Sequence, residues 1–316
     1  MATMPVHIVQ CDLAVGIDLA SPKAVADEVC RILAQRYGAF APGPMRQCFI
    51  DIEEAYAGRY PGLLACDTPY HDLCHALSTA LLMARMVDGY ETSHGDDLPA
   101  FGCDVGCVAV VLALFHDIGF LRRESEAHLN GARLVHDHEQ RSVDFVQGYL
   151  GTGVFANHTE RAGLIHATNF NLPVHECLRG QPPEFWLLGQ MLGTADLVSQ
   201  VGERYYLERC RDFLFSEFTA AGTDRRVSAD GSVTVCYSSP EDLLRQTPEF
   251  FEHVVKRRLE LDLAQVDRFI APHFGGDDPY ARGIQRNMNH LRDMIQRNDF
   301  SRMQRKPPCL LLAPQP

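Results

Sequence analysis

Phe115-His116-Asp117-Ile118-Gly119 closes the apolar run from Val108 to Phe115 and sets an imidazole beside a carboxylate. Neighbours in sequence do not share a helical face, but at a helix end they can converge on one cation from two directions. Zinc, iron and manganese accept imidazole nitrogen together with carboxylate oxygen. Upstream, His71 and His75 stand at i, i+4, which places both imidazoles on one face of a helix. Downstream come His138, His166 and Asp196, each inside or beside an apolar segment. A carboxylate carried into an apolar core is costly without a partner, and a metal ion removes that cost. His136 and His138 cannot both face one point on a helix. Leu134, Phe145 and Leu150 bring the core-facing stripe nearer to His138. The intervals between Asp117, His138, His166 and Asp196 leave room for one ligand per successive helix, which is how a helical bundle builds an interior metal site.

The elements that must hold these residues read as helices almost throughout. Ser21-Pro22 caps a helix to Tyr37, and a second runs from about Met45 to Tyr56. The first motif helix extends from about Pro69 to Met86, with Leu73, Leu77, Leu81 and Leu82 at helical spacing and a polar loop from Asp88 to Pro99. Val105–Phe115 is apolar nearly all round and therefore central. After a charged loop, helices are expected over Gly131–Tyr149, Glu160–Ala167, Pro183–Tyr206 and Arg209–Phe218. Gly222–Ser239 turns to Thr, Val, Ser and Gly, a short hairpin or extended excursion around Val233-Thr234-Val235. Thr247-Pro248 is read as opening a helix to about Ile270, and Pro279-Tyr280 another to about Asn298. The divisions are packing helices over 1–64, a metal-binding core over 65–220, a helical extension over 221–305 and a flexible, proline-rich tail over 306–316, in one compact unit.

Composition narrows the function classes. A chain of 316 residues, 46% hydrophobic and 22% charged, can bury a sizeable core. The formal net charge of -12 argues against a basic nucleic-acid surface, yet leaves room for a phosphate-bearing small substrate if metal ions supply local positive charge. No apolar run is read as reaching the roughly 18 residues of a membrane span. The N-terminus lacks a signal-peptide pattern, and eleven cysteines fall outside CxxC pairs, so a cytoplasmic location is expected.

The string His71, His75, His116-Asp117, His138, His166, Asp196 resembles the HD superfamily of metal-dependent phosphohydrolases over about Pro69 to Phe218. It is similar to a bacterial branch whose first motif is like that of cyclic-nucleotide phosphodiesterases. The resemblance implies an all-α HD-domain helical bundle, with extra N- and C-terminal helices here. Tyr70-His71-Asp72-x-x-His75 is similar to the phosphodiesterase motif HNxxH, which makes His71 the general acid and His75 a metal ligand. The reading of His71 as itself a ligand also stands. His116-Asp117 matches the HD motif, with Asp117 catalytic as the bridge between two metals, and Asp196 matches the distal ligand. His138 and His166 resemble the extra histidines of the binuclear branch that includes the HD-GYP proteins. The implied cofactor is a pair of divalent or mixed-valence ions (Fe, Mn, Zn or Mg), and the implied partner a small, nucleotide-like phosphorylated substrate. A homodimer stays open.

Two positions depart from the family. Asp72 stands where phosphodiesterases have Asn, a candidate to orient a neighbouring imidazole from behind. Phe120 stands where HD-GYP proteins have Lys and phosphodiesterases a further His. Arg122 and Arg123 are candidate phosphate contacts or else a solvated charged loop, and Thr168 and Asn169 are candidate pocket residues. Phosphoester hydrolysis is the leading expectation. A di-iron oxygenase resembling myo-inositol oxygenase and a non-catalytic nucleotide- or partner-binding domain are the alternatives.

Overall fold

The computed structural model describes residues 11–93, 99–228 and 230–311. Helix α1 (Pro22–Tyr37) opens on Ser21, whose hydroxyl accepts the Ala24 N–H, with Pro22 in the first turn where no amide donor is needed. α2 spans Pro42–Tyr56. α3 (Leu73–Ser93), α4 (Gly102–Phe115) and α5 (His138–Gly151) follow, then a 3₁₀ run over Ala156–Thr168 and a helix over Trp186–Gly202. The described residues are mostly helical, as an all-α chain should be. Strand structure is confined to the expected excursion, where Arg225–Val227 pairs antiparallel with Val233–Val235.

α4 is the axis. Every residue from Gly106 to Phe115 is buried, so its apolar circumference has neighbours on all sides. Each buried Val, Leu or Phe there is worth about 1.5–3 kcal/mol relative to exposure. α3, α4 and the Trp186–Gly202 helix touch one another pairwise. Three ligand-bearing segments thus meet along one seam. The stretch Gly102–Phe120 is long and apolar enough by composition to cross a membrane, contrary to the reading that no run would be; 83% of its window is buried inside the fold, as befits a core helix.

Several expectations need correction. α3 neither begins near Pro69 nor stops near Met86 but runs from Leu73 to Ser93. His71 therefore precedes the helix instead of sharing a helical face with His75, the polar loop is shorter than read, and 94–98 lie outside the described residues. Its polar residues have tertiary partners: Asp88 pairs with Arg36 and His273, and Tyr90 is buried. The segment read as a helix from Gly131 to Tyr149 is a 3₁₀ turn over Gly131–Leu134, a break, and then α5, so His138 begins a helix. Thr247-Pro248 opens nothing. The helix starts at Pro240, capped by Ser239, and Pro248 sits inside it. Proline there removes an amide and clashes with the preceding turn. Just beyond it the chain loosens into the π-helical turns Phe251–Val255 and Arg258–Asp262.

The tail expected to be flexible is docked as far as it is described; 312–316 lie outside. Leu310 N donates to Asp72 Oδ2 at 2.9 Å, and Pro308 O accepts from Arg209 at 3.3 Å. A second, smaller apolar cluster around Tyr70, Val201, Tyr206, Leu207, Leu243, Met288 and Leu291 joins the last helices to the metal-binding segment.

Candidate metal centre

His75 projects from the first turn of α3, His116 from the C-terminal cap of α4 and Asp196 from the Trp186–Gly202 helix. Their donor atoms lie within 4.8 Å of one another, so the three could hold a metal ion. Asp117 joins them. His75 Nε2 is 3.2 Å from Asp117 Oδ2 and 3.1 Å from Asp196 Oδ1. His116 Nε2 is 3.2 Å and 3.4 Å from the same two oxygens, and 3.2 Å from His75 Nε2. Four donors around a cation at roughly 2.0–2.1 Å in a tetrahedron would be roughly 3.3 Å apart. The five separations above are close to that value, and His75, His116 and Asp196 are the set whose donor atoms all lie near one another.

The orientation of the imidazoles fits as well. His116 Nδ1 meets Ala113 O at 2.8 Å and His138 Nδ1 meets Val135 O at 2.7 Å. A ring that donates Nδ1–H to a carbonyl keeps its Nε2 lone pair for a cation, the arrangement usual in metal-bound histidines. His138 Nε2 faces the other oxygen of Asp117, Oδ1, at 3.7 Å. Asp117 therefore stands between His75 and His116 on Oδ2 and His138 on Oδ1.

Burial and charge call for a cation here. Burial alone would push the His116 imidazole down, but Asp117 and Asp196 outweigh it and hold its pKa well above the ordinary value. Burial raises Asp117 and Asp196, yet the neighbouring imidazoles, His116 foremost, hold both below the usual carboxylate range. Two carboxylates and two imidazoles this close need either a shared proton or a metal between them. Asp196 is also aimed from outside: Gln200 Nε2 donates to its Oδ1 at 2.6 Å, and Tyr70 OH donates to Gln200 Oε1 at 2.9 Å.

His71 lines the same cavity as Asp117, His138 and Asp196 but makes no pair with them; its Nδ1 is 2.6 Å from Glu217 Oε2. Glu217 Oε1 also accepts the backbone N–H of Tyr70 at 2.6 Å. Burial pulls the His71 imidazole down, but Glu217, with Asp117 and Asp196 behind it, outweighs that and raises its pKa. Phe120 stacks on His71 (centroids 4.4 Å, 19°) and on His138 (4.2 Å, 21°), wedging both rings. Gly119, just before it, donates its N–H to Ser142 Oγ at 2.9 Å. A Cβ at Gly119 would collide with the His138 carbonyl, so glycine is what lets α5 close on the HD dipeptide.

Other expected residues fare differently. His166 sits half-buried in the 3₁₀ run, its imidazole pushed down by burial, and among the described residues no ion pair or side-chain hydrogen bond joins it to the other five. Thr168 lines the cavity, with its hydroxyl donated to Ile165 O. Asn169 donates to Glu139 Oε1 at 2.8 Å. Asp72 does not orient an imidazole: it accepts the backbone N–H of His75 at 3.2 Å and pairs with Arg209 at 3.1 Å. Arg122 is spent on Asp67 and on the carbonyls of Ala127, Leu129 and Ala65, and Arg123 points to solvent; neither lines the cavity.

Sequence reasoning missed Glu217, Arg209 and Glu139. Glu217 and Arg209 act on His71 and Asp72 from more than a hundred residues away and carry no local signal. Glu139, buried beside His138 with Oε2 3.2 Å from its Nδ1, was legible as a carboxylate adjoining a proposed ligand. No protein-family model matches this chain, and none of the curated proteins compared with it does.

Proposed function

We propose that this chain is a metal-dependent phosphohydrolase of the HD type, acting on a small phosphorylated molecule. The observation that carries the reading is the placement of Asp117, with Oδ2 toward His75 and His116 and Oδ1 toward His138. In this reading His75, His116, Asp117 and Asp196 would hold one ion, and Asp117 with His138 would hold a second, with Glu139 beside His138. Divalent ions in such a site supply Lewis acidity, polarising a phosphoryl oxygen and lowering the pKa of bound water.

The chain's own residues do the rest. His71 is the proton donor to the leaving oxygen: Nδ1 is engaged by Glu217, which leaves Nε2 for the cavity. Glu217 keeps that ring charged, and Phe120 fixes its plane, so the proton is held ready at one atom. Tyr70 and Gln200 hold Asp196 in its rotamer.

The test is metal content and turnover after reconstitution with Mn(II) or Zn(II) in the absence of oxygen. Wild-type protein should bind metal and release phosphate or a phosphomonoester from a phosphoester panel, and Asp117→Ala should lose both ions. His138→Ala should empty one preferentially. Activity that appears with iron alone and consumes oxygen would replace the hydrolase with an oxygenase. Equal, near-zero metal in wild type and Asp117→Ala would end the binuclear reading.

A further inference from the structure

The metal-facing groups occupy one end of a cavity of about 630 Å³. That volume is far more than a phosphoryl group requires and within the range of small-molecule sites. The outer end is built by segments the metal motif does not include. Phe170, following the 3₁₀ run, pairs with Phe250 (centroids 5.3 Å, 34°), and Phe218 pairs with Tyr237 of the segment after the hairpin (5.7 Å, 22°). All four line the same cavity as Asp117 and Asp196. The Arg258 guanidinium lies 5.3 Å from the centre of the Phe170 ring, continuing that stack. It is buried, its donors go to the carbonyls of Ala167, Asn169 and Leu172, and among the described residues no carboxylate pairs with it.

Several polar groups of this wall are already engaged by the protein, while Asn171 and Arg226 also line the cavity. Gln246 Nε2 donates to Cys236 O and Asp242, and the Thr247 hydroxyl donates to Leu243 O. Thr223 likewise donates to Phe218 O. Away from Asn171 and Arg226, a polyhydroxylated body would lose its hydration along this wall with little replacement. A flat ring would not, because aromatic side chains offer area and stacking at low entropic expense.

We propose, resting on the phosphohydrolase reading, that the outer half of the cavity is an aromatic slot, and that the substrate is a phosphoester whose non-reacting part is a flat, apolar ring system. Phe170, Phe250, Phe218 and Tyr237 bind the ring. Arg258 adds a fixed positive charge on the approach to the metals and favours an anionic ligand over a neutral one.

The test uses the full-length, Mn(II)-loaded protein and calorimetric binding of non-hydrolysable probes: methyl-, cyclohexylmethyl-, benzyl- and 2-naphthylmethylphosphonate, with 2-naphthylmethanol as the probe lacking an anion. Affinity should rise about a hundredfold from methyl- to naphthylmethylphosphonate. Cyclohexylmethylphosphonate should fall below benzyl. Phe250→Ser, at a half-exposed position that should tolerate the change, and Phe170→Ala should each reduce the naphthyl-to-methyl ratio about tenfold. Equal affinity for all four phosphonates overturns the slot and leaves the phosphohydrolase reading standing. Binding of naphthylmethanol that is sensitive to Phe250→Ser, with no binding of any phosphonate, supports the slot and overturns that reading. Failure of every probe overturns both.

Discussion

Glu217 is buried and 2.6 Å from His71, and that pairing, with Asp117 and Asp196 beyond it, sets how the His71 imidazole should respond to pH. His71 in the folded chain titrates above its ordinary value of 6.5. Its pairing therefore contributes stability that is fully present below pH 6.5 and is lost as pH rises through the raised pKa. In the proposed mechanism the same proton is donated to the leaving oxygen, so kcat should fall as pH rises through the raised His71 pKa. Glu217→Gln keeps a hydrogen bond and removes the charge, so the alkaline limb of the kcat profile should move to lower pH. An unmoved limb would contradict the assignment of His71 as acid. His71→Ala should retain most of the metal while losing a factor of about 10²–10⁴ in rate. At this scale the sequence was readable in the His116-Asp117 dipeptide, but the shared helical face expected for His71 and His75 is absent, because α3 begins at Leu73 and His71 precedes it. His75, His116, Asp117, His138 and Asp196 do converge. Glu217 was not readable, because nothing in Phe215-Ser216-Glu217-Phe218 distinguishes a buried partner from a solvent-facing glutamate.

Helix positions followed the apolar periodicity wherever one face was buried, and α1, α4 and the Trp186–Gly202 helix stand close to where the pattern put them. Errors came from punctuation. Ser239-Pro240 and Thr247-Pro248 carry the same signature, a hydroxyl residue followed by proline, and only the first is a helix start. The second is tolerated at the expense of regular hydrogen bonding, which the π turns beyond it take up. α5 depends on a different local rule. It approaches the HD dipeptide through Gly119, whose missing side chain leaves room for the His138 carbonyl. Gly119→Ala should push the first turn of α5 outward, cost about 1–3 kcal/mol of stability and weaken the half-site containing His138. Denaturant unfolding together with metal stoichiometry checks both effects. Full stability with two ions bound would show that α5 can shift without harm.

Across the whole molecule, the region before the metal motif, the motif itself and the C-terminal segments are tied by buried ion pairs. Arg85, fully buried, joins Asp12 at 2.7 Å and Tyr280 at 2.6 Å. Arg209 joins Asp72 to the carbonyls of Tyr70 and Pro308. Removing one member of such a pair strands a charge in the interior. Arg209→Met should therefore cost about 3–5 kcal/mol in denaturant unfolding, and Asp72→Asn in the same chain should recover part of that loss. A loss below about 1 kcal/mol would show that the pair is solvated. The tail was misread because its prolines and lack of periodicity look the same whether the strand lies free or is laid over a buried carboxylate. Its docking also sets an order of events during synthesis. A growing chain emerges from the N-terminal side, so all the proposed ligands, ending at Asp196, are made before Glu217, three of the four proposed slot residues and the Leu310 amide. A chain made only as far as Asp196 would carry every proposed ligand and His71 while lacking the Glu217 partner of that imidazole, most of the proposed slot and the Leu310 donor to Asp72. On the phosphohydrolase reading, competence as a selective catalyst would then arrive late in translation.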